Sequence, residues 1–320
     1  MTDIPPSSSL PPPMSIAAVE RDCGISKDTL RIWERRYGFP TPLRDANDER
    51  LYPADQVARL RLLRRLIGAG HRPGKVVARP EAELLALLRE LDAAPMAGGP
   101  VGGDGRAADA AQVLDALIAH DAERLRDSLA GLLLREGLRA FAAQIGPGLT
   151  QVVGAAWARG ELEIHQEHLF TDQFTSVLRA AIGAATAAGG LREGPRVLLT
   201  TLPEEPHGLG LLMAEAIFVL EGCRCVSLGV QTPVRDVALA ARAHRADVLA
   251  LSFSAAVSAG QARAGLADLR AVAPADVEIW AGGACPGLRE PPGVRRLRDL
   301  PGISAEVARW RTSAALRDGA

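Results

Sequence analysis

The sequence predicts a multidomain protein with three folded parts. They are an α-helical winged helix-turn-helix at the N-terminus, a central four-helix bundle, and a C-terminal α/β domain on a doubly wound, Rossmann-like parallel sheet. Three observations carry that reading. Two short helical stretches joined by a Gly-containing turn precede a Pro- and Asp-rich segment. The middle of the chain repeats apolar residues at helical spacing. The last third alternates short, β-rich apolar runs with helical stretches.

A chain of 320 residues is too long for one small core, and its 48% apolar content lets each part bury its own. No apolar run approaches the ~18 residues of a membrane span. The opening MTDIPPSSSLPPP has no positive n-region and no apolar h-region, so it does not read as a secretory signal. Its Pro and Ser content reads as a disordered lead-in over residues 1–13. The four cysteines include no CxxC pair, which fits reduced structural thiols and a cytoplasmic location. Charge is uneven. Residues 1–80 hold 14 Lys and Arg against 9 Asp and Glu, on a chain of net charge −1. A polyanion partner is therefore expected for that part only.

Residues 14–92 justify the first part. Ser15 can cap IAAVERD, the turn runs through Gly24, and Ser26 can cap KDTLRIWERRYG. On that second helix Lys27, Arg31 and Arg35 share one face at intervals of four, with Arg36 beside them. Leu30 and Trp33 fall on another face and pack inward. The segment FPTPLRDANDERLY reads as a two-stranded wing carrying Arg44, Arg50 and Tyr52. A helix with Val57, Leu60, Leu63 and Leu66 follows, ending at Gly68 or Gly70. Gly-rich, nearly uncharged residues 93–106 read as a flexible linker.

Residues 107–191 are helical throughout. Val113, Leu114, Leu117 and Ile118 are expected on one buried face, and Leu125, Leu129, Leu132 and Leu133 on another. Leu149, Val152, Val153, Ala156 and Trp157 repeat the pattern, and a last helix spans about 162–188. The stretch WARGELEIHQEHLF, from Trp157 to Phe170, sets Glu167 and His168 ten and eleven residues after the Trp. Taken alone it reads as bundle core.

Residues 194–320 supply the sheet. RVLLTT, CVSLGV, DVLALSFS and VEIWAGG are the strands, and 208–221, 234–244 and 260–272 are the helices between them. Glu205-x-His207-x-x-Gly210 sits after the first strand and opens a helix. Forty-one residues separate Gly210 from Ser252, and twenty-seven separate Ser254 from Gly282, which is followed by Gly283. All of these fall at carboxyl ends of strands, where parallel sheets bind ligands.

SKDTLRIWERRYGFPTPLR and RLY resemble the winged helix-turn-helix of MerR-type transcriptional regulators, over about 65 residues. The resemblance implies that Lys27, Arg31, Arg35 and Arg36 contact double-stranded operator DNA, joined by Arg44, Arg50 and Tyr52 from the wing. The wing tip departs from the common Gly-His-Arg type and reads NDER. The sheet motif is similar to the cobalamin-binding module of methionine synthase, corrinoid proteins and mutases. That similarity implies His207 as lower axial cobalt ligand, oriented by Glu205, with Ser252, Gly210, Gly282 and Gly283 accommodating the displaced nucleotide tail. Ser254 stands where that family usually has an aliphatic residue, and no role is implied for it.

The three parts in this order resemble the CarH/LitR-type photoreceptor repressors. That resemblance implies adenosylcobalamin as cofactor, with Trp157, Glu167 and His168 around its upper axial group. It also implies a homo-oligomer, a tetramer in the dark, that releases DNA on illumination, and no enzymatic activity. One departure is Ala158, where relatives place a His directly after the Trp. Three other readings stay open. One is a cobalamin-dependent regulator that answers cobalamin level, redox state or haem. Another is a corrinoid enzyme or methyl carrier, which the sheet motif alone would allow. The third is a dimeric MerR-type regulator that works without cofactor.

Overall fold

In a computed structural model the described residues are 12–68, 71–93, 104–188 and 193–318. The lead-in through residue 11 and most of the expected linker lie outside them. Two compact units make up the chain, one of the N-terminal residues with Ala158–Glu161 and the other of the rest of the bundle with the sheet.

The first unit opens with β1 (Met14–Ser15), α1 (Ile16–Cys23) and α2 (Lys27–Tyr37). Ser15 Oγ accepts from the Ala18 amide and Ser26 Oγ from the Thr29 amide, so both expected caps form. Gly24 and Gly38 close the two helices at φ 63° and 69°, a conformation that costs a side chain roughly 1 kcal/mol or more. The wing is β2 (Leu43–Arg44) and β3 (Arg50–Tyr52). β1 pairs with β3 on its other edge, giving a three-stranded antiparallel sheet rather than the two strands expected. Helices α3 (Ala54–Gly68), α4 (Pro73–Val76) and α5 (Glu81–Ala93) complete the unit. Val19, Leu30, Trp33, Val57, Leu60, Leu63 and Leu66 share one core.

The bundle is α6 (Asp104–Ile118), α7 (Ala122–Ala140), α8 (Gly146–Ala158) and α9 (Ile164–Ala187). Residues 104–106, expected in the linker, instead open α6. Helix α7 kinks at Gly137 (φ 78°, ψ 160°), and a π-helical turn at Phe141–Ile145 leads into α8. Ile118 departs from the expected core face and is 55% exposed. It sits in the last turn of α6, where no neighbouring helix covers it, while Val113 and Leu117 are fully buried.

The sheet holds β4 (Arg196–Thr200), β5 (Arg224–Ser227), β6 (Val248–Ser252), β7 (Glu278–Gly282) and β8 (Val294–Arg296). The order is β5-β4-β6-β7-β8, all parallel. Its helices are α10 (Leu209–Leu220), α11 (Val234–Ala243), α12 (Ala259–Val272) and α13 (Gly302–Asp318). The sequence reading lacked β8 and α13. Alternation along the strands splits the core in two. Val197, Leu199, Val248 and Ala250 face α10, α13 and the bundle, in one continuous apolar cluster. Leu198, Leu249, Leu251 and Ile279 face α11 and α12. Burying one such side chain contributes about 1.5–3 kcal/mol.

Bundle and sheet are locked by contact along α10. A side chain at Gly146 would strike Met213 Sδ and Phe174 Cζ at under 3 Å. Arg139 pairs with Glu221 at 2.9 Å, and Arg179 with Glu215 at 3.0 Å. The Glu215 carboxyl is pushed up by burial, which outweighs the nearby Arg179 guanidinium.

Candidate functional site

The site is built by loops that leave the carboxyl ends of adjacent strands. Residues 201–208 leave β4 and carry Glu205 and His207. Residues 228–233 leave β5, and 253–258 leave β6. The first two loops are stitched together. Thr200 Oγ1 lies 2.7 Å from Thr232 Oγ1, and the Gln231 amide donates to Thr201 Oγ1 at 2.8 Å. Thr201 Oγ1 in turn donates to the Glu205 carbonyl at 2.5 Å. Thr200 and Thr201 are fully buried, so these bonds satisfy groups that water cannot reach.

Glu205 is a buried carboxylate, 1% exposed. Oε1 lies 2.6 Å from His207 Nδ1 and accepts the His207 amide at 2.9 Å. Oε2 accepts the Ser254 amide at 2.5 Å. Burial pushes this carboxyl up, but the hydrogen bonds from His207 and Ser254 together outweigh it and hold the group below its usual range. The charged form is thus the native one. His207 itself is 57% exposed, and its Nδ1 is occupied by Glu205, which leaves Nε2 for a ligand. An imidazole whose far nitrogen is tied to a carboxylate suits a borderline transition metal such as cobalt. The donor set therefore fits the corrinoid that the motif implies.

Gly210 is adjacent to Ser252, and a Cβ there would fall 3.1 Å from Ser252 Oγ. Ser252 and Gly282 are register partners on β6 and β7. The two glycines at the end of β7 are constrained by the protein itself. A Cβ at Gly282 would lie 3.2 Å from Leu297 Cβ. One at Gly283, where φ is +110°, would lie 2.2 Å from the Phe253 carbonyl oxygen. The Cys285 amide donates to that same carbonyl at 3.1 Å, so the close approach is part of the loop's own bonding.

The bundle residues form a separate, looser group. Glu167 Oε1 accepts from Thr171 Oγ1 at 3.0 Å. His168 Nε2 stands 3.8 Å from Glu167 Oε2 and is 70% exposed. Trp157 is half-buried against the bundle core. Among the described residues no hydrogen bond or ion pair joins Glu167 or His168 to the strand loops. An open groove of about 580 Å³ between α6 and α7, with Asp109, Asp127 and Arg135 in its lining, contains none of these residues.

On the first unit Arg31, Arg35 and Arg36 are exposed on α2 and Lys27 is half-buried at its start. Lys27 pairs with Glu20 at 3.5 Å, Arg31 with Asp28 at 3.1 Å, and Arg44 with Asp48 at 3.3 Å. Such exposed pairs contribute about 0–1 kcal/mol each and yield readily to a phosphate. Arg50 differs, because its Nε donates to Glu34 at 2.9 Å and ties β3 to α2. Tyr52 is a correction to the expected surface. Its ring is fully buried, its hydroxyl has no hydrogen-bond partner among the described residues, and it presents nothing to a duplex. Two features went unread in the sequence. Ser254 holds Glu205, and Ile32 stands 47% exposed among the α2 arginines.

Comparison with known proteins finds matches to both parts of the chain that carry these residues. Residues 14–77 match the MerR HTH family regulatory protein model, and residues 195–315 match the B12 binding domain. The chain is 34% identical over 265 residues to the HTH-type transcriptional repressor CarH of Myxococcus xanthus, covering 82% of this chain and 85% of that one. It is 33% identical over 285 residues to the repressor CarA of the same organism, covering 85% and 87%. Among solved structures, the monomethylamine corrinoid protein of Methanosarcina barkeri shares 16% identity at a TM-score of 0.42, covering 61% of this chain and 94% of that one. A match across most of both chains at this identity shows the family. The chain is a cobalamin-binding transcriptional regulator and belongs to the family of HTH-type repressors that includes CarH and CarA.

Proposed function

We propose that this protein is a light-responsive repressor that uses adenosylcobalamin as its chromophore. It holds double-stranded operator DNA as a homo-oligomer, a tetramer, in the dark and releases it on illumination. One observation carries the reading. A ligand-ready imidazole at His207 shares a compact unit with a bundle that bears Trp157, Glu167 and His168 at ten- and eleven-residue spacing.

Each residue has a task. His207 Nε2 would hold the cobalt of the corrinoid, and Glu205, tied to Nδ1, would keep the ring proton there and Nε2 free as the ligand atom. Ser252, with Gly210, Gly282 and Gly283, borders the slot for the nucleotide tail. Trp157, Glu167 and His168 would cover the bound cofactor from the bundle side. When bound, adenosylcobalamin supplies a cobalt–carbon bond that visible light breaks. Lys27, Arg31, Arg35 and Arg36 read the duplex, supported by Arg44. Assembly then follows whichever cofactor form the oligomer binds more tightly, since only differential affinity shifts a population.

The test loads the purified chain with adenosylcobalamin in the dark and records its spectrum, size and DNA retention before and after green light. Size and retention should fall as the spectrum changes. A spectral change with size and retention unaltered overturns the light switch and leaves cobalamin binding standing.

Ala158 favours a second reading, because no imidazole follows Trp157. Under it, cobalamin abundance or redox state is the signal. Retention then tracks cobalamin concentration in the dark and ignores light.

A further inference from the structure

We propose that Ser254 is a positioning residue that fixes the ring plane of His207. The inference rests on His207 being the cobalt ligand. Its basis is a three-way contact between loops from neighbouring strands. Ser254 lies two residues beyond β6, while Glu205 and His207 leave β4, which pairs with β6. Ser254 Oγ lies 3.1 Å from His207 Nδ1, and the Ser254 amide donates to Glu205 Oε2. The Ala256 amide donates to Ser254 Oγ at 3.2 Å, which pins the hydroxyl oxygen in place.

The chemistry follows from the tautomer. Binding a metal through Nε2 requires the proton on Nδ1. That proton faces two acceptors, Glu205 Oε1 at 2.6 Å and Ser254 Oγ at 3.1 Å. A single acceptor leaves the imidazole free to swing about the line from Nδ1 to that oxygen. A second acceptor in another direction removes the swing. An aliphatic residue at 254 would keep the hydrogen bond that its backbone amide donates to Glu205 and lose the second acceptor. The side chain's contribution is therefore separable from the backbone's.

The exposed ring makes this matter. His207 is only partly covered, so packing does not fix its orientation. Hydrogen bonds must do so, and Ser254 supplies the second one.

The test compares the full wild-type chain with Ser254→Ala, Ser254→Thr and His207→Ala. Each is loaded with aquocobalamin, its affinity is measured by equilibrium titration, and the bound cofactor is then reduced to cob(II)alamin. Electron paramagnetic resonance reads the nitrogen splitting of the axial donor, and isotopic labelling of histidine nitrogen identifies the protein as its source. Ser254→Ala should weaken binding about tenfold, the low end of losses at such supporting positions, and reduce the histidine-bound fraction. Ser254→Thr, which keeps the hydroxyl, should restore both. Matching spectra and affinities for Ser254→Ala and wild type overturn the positioning role while His207 ligation stands. A wild-type spectrum equal to that of His207→Ala overturns the ligation, and the positioning role with it.

Discussion

Two groups of side chains in the same compact unit are held in opposite ways. Around Glu205 every polar contact is short, and the carboxylate is sealed from water. Around Glu167 the contacts are few, and His168 stands 3.8 Å from its nearest partner and mostly in solvent. The groups of the sheet site hold one another in place by short hydrogen bonds, so binding there loses little ordering entropy. The bundle group has rotamers still to lose. A ligand that orders it changes the energy of the bundle surface, which a switch requires and an anchor does not. The contrast predicts that damage at the loops abolishes binding, and damage at the bundle alters the response to what is bound.

The largest effect should come from the loop backbone. Gly283→Ala puts a Cβ against the Phe253 carbonyl at a φ only glycine adopts freely. We expect a loss of about 3 kcal/mol or more and a sheet domain that melts early or fails to fold, read by thermal denaturation. A melting curve like wild type would show that the loop yields and would remove half of the contrast. Next is His207→Ala. It should lower affinity for adenosylcobalamin in the dark by about a hundredfold or more, beyond the 10–100-fold typical of residues that merely support a ligand. Stability should fall by about 1–3 kcal/mol, because buried Glu205 loses its hydrogen bond from the ring, and the fold should survive. Binding that survives this change would displace the anchor from His207.

On the looser side, His168→Ala should leave stability within about 0.5 kcal/mol, as exposed positions do. Affinity for adenosylcobalamin should change by less than about tenfold, and the dark-to-light difference in oligomer size should shrink. If His168→Ala instead abolishes binding, the two groups do the same job and the contrast is wrong. The neighbouring Trp157→Ala carries a packing cost as well, because its ring rests on the bundle core. His168 is therefore the cleaner probe.

Local signals were legible in the sequence. Ser15 and Ser26 announced the helix starts because a cap depends on three or four consecutive residues. The spacing of Glu205, His207, Gly210, Ser252 and Gly282 was legible because strand ends in a parallel sheet recur at intervals set by the helices between them. Contacts that exist only after strands pair were not. Ser254 meets Glu205 because β6 lies beside β4, and no local pattern encodes that adjacency. Gly283 was read only as room for a ligand, and its close approach to the Phe253 carbonyl was not legible. A strand of two or three residues is too short to show alternation, which hid β1 and β8 and let Tyr52 of β3 be read as facing DNA.

Tyr52 extends the same distinction between held and presented groups to the DNA reader, with the smallest expected effect. Its hydroxyl is buried without a partner among the described residues, and burial pushes the phenol up from its ordinary value. A buried donor left unsatisfied costs about 1–3 kcal/mol, so Tyr52→Phe should leave stability unchanged or raise it by about 1 kcal/mol. DNA retention should not move, because the phenol is not on the surface. Arg35→Ala is the counterpart from the presented side. It should weaken retention across all sequences and reduce the salt dependence by about one phosphate contact. A loss of retention in Tyr52→Phe, at unchanged stability, would mean that the ring leaves the core on meeting DNA and that β3 is a moving part rather than a support.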